Sequence, residues 1–274
     1  MKVTASRPPR QGFSPSLGSS LLFGFLAIKA VLSLALGLGD KLAPYGTSAY
    51  FLLLLLATGF TILNAVERTQ GRRVFWVFIA VGYGLWALNQ WLYVYYGFLR
   101  HTEVPDNSIA DPALFLHLVP LMAAVVTQPH LDRTDQKAYR VSLTFLFLLV
   151  AWVFLYAYVL FPYQYLLANP AIYNPRFTTL YAVENLALVL ILCFVVRRAQ
   201  GPWKSIYYHL LGASTLYAVS STLANMAIDL GSHYNGSIYS LAQNAAVCWA
   251  LWVPLHARQL TPARTSVGEL DARR

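Results

Sequence analysis

Residues 47–66 read TSAYFLLLLLATGFTILNAV, a stretch without a charged side chain. A helix needs about 20 mostly apolar residues to cross the hydrocarbon core of a bilayer, so this stretch predicts a transmembrane helix. Similar apolar runs recur along the whole chain. Together they predict eight spans, at 20–38, 47–66, 74–97, 112–128, 141–162, 177–197, 206–229 and 237–257.

The composition supports the same interpretation. Hydrophobic residues make up 57% of the 274 residues and charged residues only 11%, whereas an ordinary soluble domain has about 25% charged residues. The chain also carries 7 Trp, 18 Tyr and 15 Phe, and aromatic rings collect at both membrane interfaces. The sequence therefore predicts an all-α fold, a polytopic transmembrane bundle of eight helices.

Basic residues indicate the orientation of this bundle. Of the 20 Lys and Arg residues, Lys41, Arg100 and Arg176 alone fall in the segments on one side of the predicted membrane, and Lys29 lies inside the first span. All the others fall in the alternate segments on the opposite side. Because positive residues accumulate on the cytoplasmic side, both termini are predicted to be cytoplasmic.

The domain organisation follows from these spans. We expect a disordered cytoplasmic N-terminus over 1–19, the transmembrane domain over 20–257 and a cytoplasmic tail over 258–274. The net charge of +9 is spread over short clusters, without the basic helix or arginine-rich run of a nucleic-acid-binding protein. Nucleic acid is therefore not an expected partner.

Polar side chains within the spans are the candidate functional residues. Ionisable groups in the hydrocarbon cost about 2.5–3.5 kcal/mol each, so they usually face the bundle interior and often have a function. At 1.5 Å of rise per residue, six of the predicted helices bring polar groups into one layer, roughly 6–14 Å below the outer surface. The layer consists of Lys29, Asn89, Gln90, His117, Glu184, Asn185, Asn225, Gln243 and Asn244.

Two interpretations of this layer remain open. It predicts a pocket for a small amphipathic or aromatic ligand, with walls that include Trp86, Tyr93, Tyr156 and Tyr181. Alternatively, the amides form hydrogen bonds between helices that only fix the packing, each worth about 0.6 kcal/mol on average.

The ionisable members of the layer need a charge partner, a proton or a hydrogen bond. A buried carboxylate such as Glu184 must find a partner or take a proton. Lys29 is its predicted charge partner. Alternatively, the Lys29 side chain extends toward the membrane interface, so that its ammonium reaches water. His117 is either a candidate ligand contact or a hydrogen-bonded core residue.

Most other chemistries are not predicted. The sequence contains no Walker A, GxSxG, HExxH or GxGxxG motif, which argues against the common nucleotide and hydrolase sites. No two histidines share a depth suited to haem. We therefore expect no cofactor and no metal.

One region resembles a known class. Residues 84–93 read GLWALNQWLY, followed by PDNSIAD at 105–111, Phe115 and Pro120. Over about residues 74–125 the chain resembles the N-terminal multi-helix membrane sensor region of bacterial diguanylate cyclases and histidine kinases. This resemblance implies a bacterial inner-membrane location and a role in signal transduction. No output domain follows the last predicted span, so the sequence is either a module that signals through a partner or a fragment of a longer sensor.

The sequence is therefore compatible with three classes of function. The first is a sensory module that binds a small or lipophilic ligand in the outer polar layer. The second is a small-molecule or proton-coupled transporter that uses Lys29 and Glu184, and the third is an integral-membrane enzyme acting on lipid or quinone. The expected partners are the lipid bilayer, a small-molecule ligand and a cytoplasmic output protein, and assembly as a homodimer is left open.

Overall fold

The computed structural model describes residues 15–35, 41, 43–68, 70–102, 104–105, 108–129, 136–232, 234 and 236–260. Regular structure within these residues is entirely helical. The eight helices, numbered in chain order, are α1 (Pro15–Ala30), α2 (Ala43–Val66), α3 (Gln70–Val94), α4 (Ala110–Leu116 and Leu118–Thr127), α5 (Gln136–Leu155), α6 (Pro170–Arg198), α7 (Gly201–Asp229) and α8 (Ile238–Leu260).

Three helices continue into wider π-helical turns. α1 is extended by Val31–Ala35, α3 by Tyr95–Arg100, and α5 by Tyr156–Leu160 and Pro162–Leu166. Such turns are rare and occur frequently at functional sites. The turn after α1 lies next to the cavity described below.

Five helical segments are long and apolar enough to span a membrane: Pro44–Val66, Arg72–Arg100, Ala110–Thr127, Leu143–Leu166 and Pro170–Arg198. Large apolar side chains also point outward from the bundle; Phe23 and Phe147 are each 72% exposed. A contiguous apolar exterior suits lipid and not water. A membrane-embedded protein is the class that these features suggest.

The other three predicted spans fall short of the same criteria for different reasons. Within the described residues, which stop at 35 in this region, the apolar part of α1 is the shorter helix Ser19–Leu34. α7 and α8 are 29 and 23 residues long, which is enough to cross a bilayer, but they carry many polar side chains. Some of these polar side chains line the cavity described below. The same residues therefore lower the hydropathy of α7 and α8 and form the wall of the candidate site.

Short connections make successive helices antiparallel neighbours. The α3–α4 connection marks one end of the bundle, named here the Asp111 end, and the α2–α3 connection marks the other, the Arg68 end. Aromatic side chains pack closely at the Arg68 end, where Phe75, Trp76 and Tyr207 are almost fully buried and their rings meet edge to face around Phe75.

α4 is interrupted at His117. Pro120 has no N–H to offer the carbonyl of Leu116, which weakens the helix at this turn. α3 approaches the break closely at Gly82, where a Cβ atom would lie 2.6 Å from Leu121 Cδ2 and 2.9 Å from the carbonyl oxygen of His117. The backbone contact requires glycine and fixes His117 against α3.

α8 contains a second proline with a clear structural consequence. Pro254 cannot donate to the carbonyl of Ala250, and Tyr83 donates its hydroxyl to that oxygen instead, at 3.4 Å. The side-chain amide of Asn64 donates to the carbonyl of Pro254 at 2.9 Å. These two contacts hold α8 against α3 and α2.

The Arg68 end of α8 is held by two further contacts. Arg258 forms an ion pair with Glu67 at 2.7 Å, and Arg68 donates to the carbonyl of Ala257 at 3.3 Å. The ion pair is partly exposed, so its contribution is about 0.2–1 kcal/mol. Together with Asn64, these residues join the last turns of α8 to the α2–α3 turn.

Two helix starts differ from the sequence-based predictions. α1 begins at Pro15, inside the segment predicted to be disordered, in agreement with the preference for proline at the first helical position; residues 1–14 and 261–274 lie outside the described residues. Asp111 directly precedes Pro112, where the fourth predicted span begins, and this pattern predicts an N-cap at Asp111. The backbone N–H of Ala110 instead donates to the hydroxyl of Ser108 at 3.2 Å, and the Asp111 carboxylate contacts α6.

Candidate functional site

A cavity of about 520 Å³ opens among the helices toward the Asp111 end. Small-molecule sites usually measure about 300–1,000 Å³. The structure brings together in its wall eight of the residues predicted from the sequence: Lys29, Asn89, Gln90, Tyr93, Tyr181, Asn225, Gln243 and Asn244. Five helices supply most of the lining, namely α1, α2, α3, α7 and α8. We call it the Lys29 cavity.

Lys29 is the cationic group of this cavity. Its ammonium donates to Asn244 Oδ1 at 2.7 Å, and the Asn244 amide donates in turn to the carbonyl of Ser240 at 2.6 Å. Gly46 of α2 lies beside the ammonium, and a Cβ atom there would be in ordinary van der Waals contact with Nζ at 3.4 Å. The ammonium is therefore positioned by α8 and lies against α2.

Helical spacing explains why the polar groups converge. Ser240, Gln243 and Asn244 lie three and four residues apart, so they share one face of α8. Ser221 and Asn225 share a face of α7 for the same reason. All five line the cavity, whose wall on this side is therefore a polar strip formed by two adjacent helices.

Aromatic side chains separate this cavity from the core. The hydroxyls of Tyr181 and Tyr217 lie 2.8 Å apart, and both residues line the cavity. Behind them, the Trp86 ring packs against Tyr217 with centroids 4.4 Å apart and against His117 at 5.2 Å. Of the predicted aromatic walls, Tyr93 and Tyr181 line the Lys29 cavity and Trp86 lies one layer deeper.

Three predicted residues line a smaller space behind this layer. A chamber of about 30 Å³ is bordered by Trp86, His117 and Asn185, which is enough room for a water molecule. His117 is fully buried; its Nδ1 contacts the carbonyl of Leu114, and its Nε2 has no hydrogen-bond partner among the described residues. The structure thus places His117 in the core, apart from the larger cavity.

Asn89 has a structural contact as well as a place in the wall. Its side chain is fully buried and donates to the carbonyl of Ala110 at 2.9 Å, which joins α3 to the start of α4. Gln90 donates to Asn89 Oδ1 at 3.0 Å. Asn89 therefore matches the packing interpretation of the amides, and Gln90 supports it from the cavity side.

This arrangement predicts unequal effects of two neighbouring substitutions. Asn89→Leu should lower the free energy of unfolding by about 1–3 kcal/mol, because it leaves buried polar groups without a partner. Gln90→Leu should cost less, about 0.6 kcal/mol, the average polar contact between membrane helices, because it removes one donor to Asn89 Oδ1 and leaves the contact between α3 and α4 in place. Thermal unfolding of both variants in lipid nanodiscs measures the difference, and equal midpoints would contradict this role of Asn89.

Glu184 does not join the Lys29 cavity. It is fully buried in α6, and neither carboxylate oxygen has a hydrogen-bond partner among the described residues. The predicted pair with Lys29 is not formed, because the Lys29 ammonium bonds to Asn244. The pair was predicted because both residues lie at a similar depth in the membrane. Their side chains point to different parts of the bundle, so they do not meet.

A polar cluster around Asp111 was not predicted. Tyr173 donates its hydroxyl to Asp111 Oδ2 at 2.7 Å, Gln164 donates to the same oxygen at 3.4 Å, and Tyr156 contacts Gln164. Tyr156 therefore belongs here and not to the Lys29 cavity. The signal was missed because Gln164 and Tyr173 were assigned to a connection, whereas α6 already begins at Pro170.

Two histidines meet at the Arg68 end. The rings of His209 and His256 have centroids 4.7 Å apart. Ser205 lies within 2.9 Å of His256 Nε2, and Trp249 donates to His209 Nδ1 at 3.1 Å. No group of three metal-ligating side chains forms within the part of the chain that the structure describes.

Comparisons with known proteins give no relative for this chain: no family model, no curated protein and no solved structure matches it.

Proposed function

We propose that this protein is a bacterial inner-membrane sensory module, with both termini cytoplasmic, that binds a small amphipathic ligand in the Lys29 cavity. The observation that carries the proposal is the convergence of polar side chains from α1, α3, α7 and α8 on a cavity of about 520 Å³. Membrane helices that only pack against each other approach closely through small residues. Such packing does not require a cavity of this size.

The position of α1 supports a signalling role. Among the other helices, α1 packs mainly against α8, and its π-helical continuation carries Leu32 and Ser33 into the cavity wall. A ligand between α1 and the bundle contacts Lys29 and Asn244 together. Binding therefore changes how α1 sits on α8, and a ligand that prefers one arrangement shifts the population toward it.

α8 supplies a route for the signal. Its first turns contribute Ser240 and Asn244 to the cavity, and its last turns contact the α2–α3 turn through Asn64 and Glu67. A shift of α8 at the cavity thus reaches the Arg68 end, the end at which we expect a cytoplasmic output protein to bind.

The transporter alternative has less support. It requires Lys29 and Glu184 to act as a coupled pair, and the two side chains form no ion pair. Octanoate flux into proteoliposomes measures this directly: a sensor should show none above protein-free vesicles, and clear protein-dependent flux would favour a carrier.

Ligand binding is tested by thermal unfolding in phosphatidylcholine nanodiscs with octanoate, octanol and octylamine, which share a tail and differ in head group. At least one should raise the midpoint, since a ligand present at 100 times its Kd stabilises by about 2.7 kcal/mol. Ala49→Phe, which fills the cavity from α2, should abolish the shift. No response of the unaltered protein to any of the three would overturn the proposal.

Orientation is tested by labelling engineered cysteines from outside the cell. In a background of Cys193→Ser and Cys248→Ala, a membrane-impermeant maleimide should label Ser240→Cys, in the cavity wall, in intact spheroplasts. Gln259→Cys, exposed at the Arg68 end, should react only after permeabilisation. The reverse pattern would place the termini on the other side.

A further inference from the structure

We infer that the Lys29 cavity takes an anion, a carboxylate-bearing amphiphile whose head group rests on Lys29 and Asn244. This inference rests on the proposed function and names the chemical class of its ligand.

The charge of the cavity wall is the first argument. Lys29 is the one charged residue among those that line the cavity, and the described lining contains no Asp or Glu. The ion pair found in the described ranges joins Glu67 and Arg258, remote from this site. A partly buried ammonium without a counter-charge attracts an anion and repels a cationic ligand.

The hydrogen-bonding capacity of the ammonium is the second argument. An ammonium has three N–H donors, and one of them is engaged by Asn244 Oδ1 at 2.7 Å. The structure gives the remaining two no protein acceptor among the described residues. A carboxylate, which only accepts, satisfies such donors with charge-assisted hydrogen bonds.

The neighbouring side chains also suit a carboxylate. Gln243 and Asn225 lie in the same wall and bring amide N–H donors. Asn244 fixes the ammonium and is itself fixed by the carbonyl of Ser240, so the anion would meet a pre-positioned donor. Pre-positioning lowers the entropy lost on binding.

Apolar groups on α1 and α7 explain why the ligand is amphipathic. Phe25, Ile28 and Leu32 line the cavity from α1, and Ile228 lines it from α7. Phe25 and Leu32 lie four residues before and three residues after Lys29, so they share its side of the helix. A hydrocarbon chain attached to the carboxylate would contact these side chains and gain about 25 cal/mol for each Å² of apolar surface removed from water.

The test compares head groups on the unaltered protein in phosphatidylcholine nanodiscs at pH 7. We expect octanoate to bind at least about tenfold more tightly than octanol, a difference of about 1.4 kcal/mol, and octylamine to bind weakest. Apparent affinities come from the concentration dependence of the unfolding midpoint, and Ala49→Phe corrects for effects on the bilayer. This comparison needs no Lys29 variant to fold.

Variants then assign the effect to the ammonium. Lys29→Gln should weaken octanoate binding at least about tenfold, with octanol unchanged, whereas Lys29→Arg keeps the charge and should stay within about threefold. Equal affinities of octanoate and octanol, abolished together by Ala49→Phe, would overturn the anion inference and leave the proposed function intact. If none of the three probes raises the unfolding midpoint, the proposed function itself would be overturned.

A further measurement tells whether the anion is a free carboxylate or the head group of a lipid. Phosphatidylglycerol in the nanodisc carries a single negative charge on a lipid head group. If octanol raises the midpoint but octanoate does not, a stabilisation by this lipid that disappears in Lys29→Gln would keep the anion site and assign it to a phosphate head group, which overturns the carboxylate part of the inference.

Discussion

Gly82→Ala is expected to lower the thermal stability of the bundle markedly, although alanine normally favours a helix. A Cβ atom at this position would lie 2.6 Å from Leu121 Cδ2 and 2.9 Å from the carbonyl oxygen of His117. A side chain can rotate away, but the carbonyl belongs to the backbone of the break in α4. Forcing α3 and α4 apart should cost about 1–3 kcal/mol, as overpacked cores do, and Gly82→Leu should cost more.

Gly84→Ala is the matched control for this prediction. It lies in the same helix, and its nearest contact would be Thr58 Cγ2 at 4.0 Å, which is ordinary packing. The change should therefore stabilise α3 slightly, by up to about 1 kcal/mol. Unfolding midpoints in nanodiscs measure both variants. If Gly82→Ala were as stable as Gly84→Ala, the close approach of α3 to His117 would not exist.

The same substitution should alter the aromatic layer. His117 packs against Trp86 with centroids 5.2 Å apart, and Gly82 holds the His117 backbone in place. We expect the tryptophan emission of Gly82→Ala to change, measured against Gly84→Ala. This second measurement separates a local displacement from a general loss of stability.

Replacing Glu184 by methionine is expected to raise the stability of the protein. Its carboxylate is fully buried, and both oxygens lack a hydrogen-bond partner among the described residues. A buried polar group without a partner costs about 1–3 kcal/mol, and methionine fills a similar volume with apolar atoms. The free energy of unfolding should therefore increase by about that amount.

Two control variants sharpen the Glu184 prediction. Glu184→Gln leaves an amide in the same apolar position, so its gain should be smaller than that of Glu184→Met. Glu67→Gln removes a partly exposed carboxylate that pairs with Arg258 at 2.7 Å and should lose about 0.2–1 kcal/mol. A less stable Glu184→Met would show that the carboxyl group has a stabilising partner beyond the protein atoms described.

If Glu184→Met is more stable, the carboxyl group is retained at a cost to folding. Such a residue is a candidate for function, because buried polar groups without a stabilising role are the exception in membrane helices. The octanoate and flux measurements on the same variant then tell whether that function involves the Lys29 cavity.

Much of the fold could be predicted from the sequence. The stretch predicted as a span at 47–66 lies within α2, Ala43–Val66. Apolar runs are visible without tertiary information, because the bilayer imposes one length on every crossing. The sixth predicted span starts at 177, whereas α6 already begins at Pro170 and includes Pro175. Both lie in its first two turns, where the missing N–H of a proline disturbs few hydrogen bonds.

The candidate site was predicted in part. Lys29, Asn225 and Asn244 were selected because they lie at one depth, and the structure places them around one cavity. Glu184 was selected by the same argument and lies elsewhere. His117 and Asn185 border a separate, smaller chamber. Depth follows from counting residues along a straight helix, but the neighbours of a side chain depend on how that helix is rotated against the others.

The sequence by itself determined the apolar runs and predicted a depth for each polar group, because these depend only on hydropathy, the rise of a helix and the thickness of a bilayer. Tertiary structure alone decided that Lys29 meets Asn244 and not Glu184. The physical reason is that helix rotation is set by close packing, here by contacts such as that of Gly82 with the His117 carbonyl. No local pattern in the chain encodes those rotations.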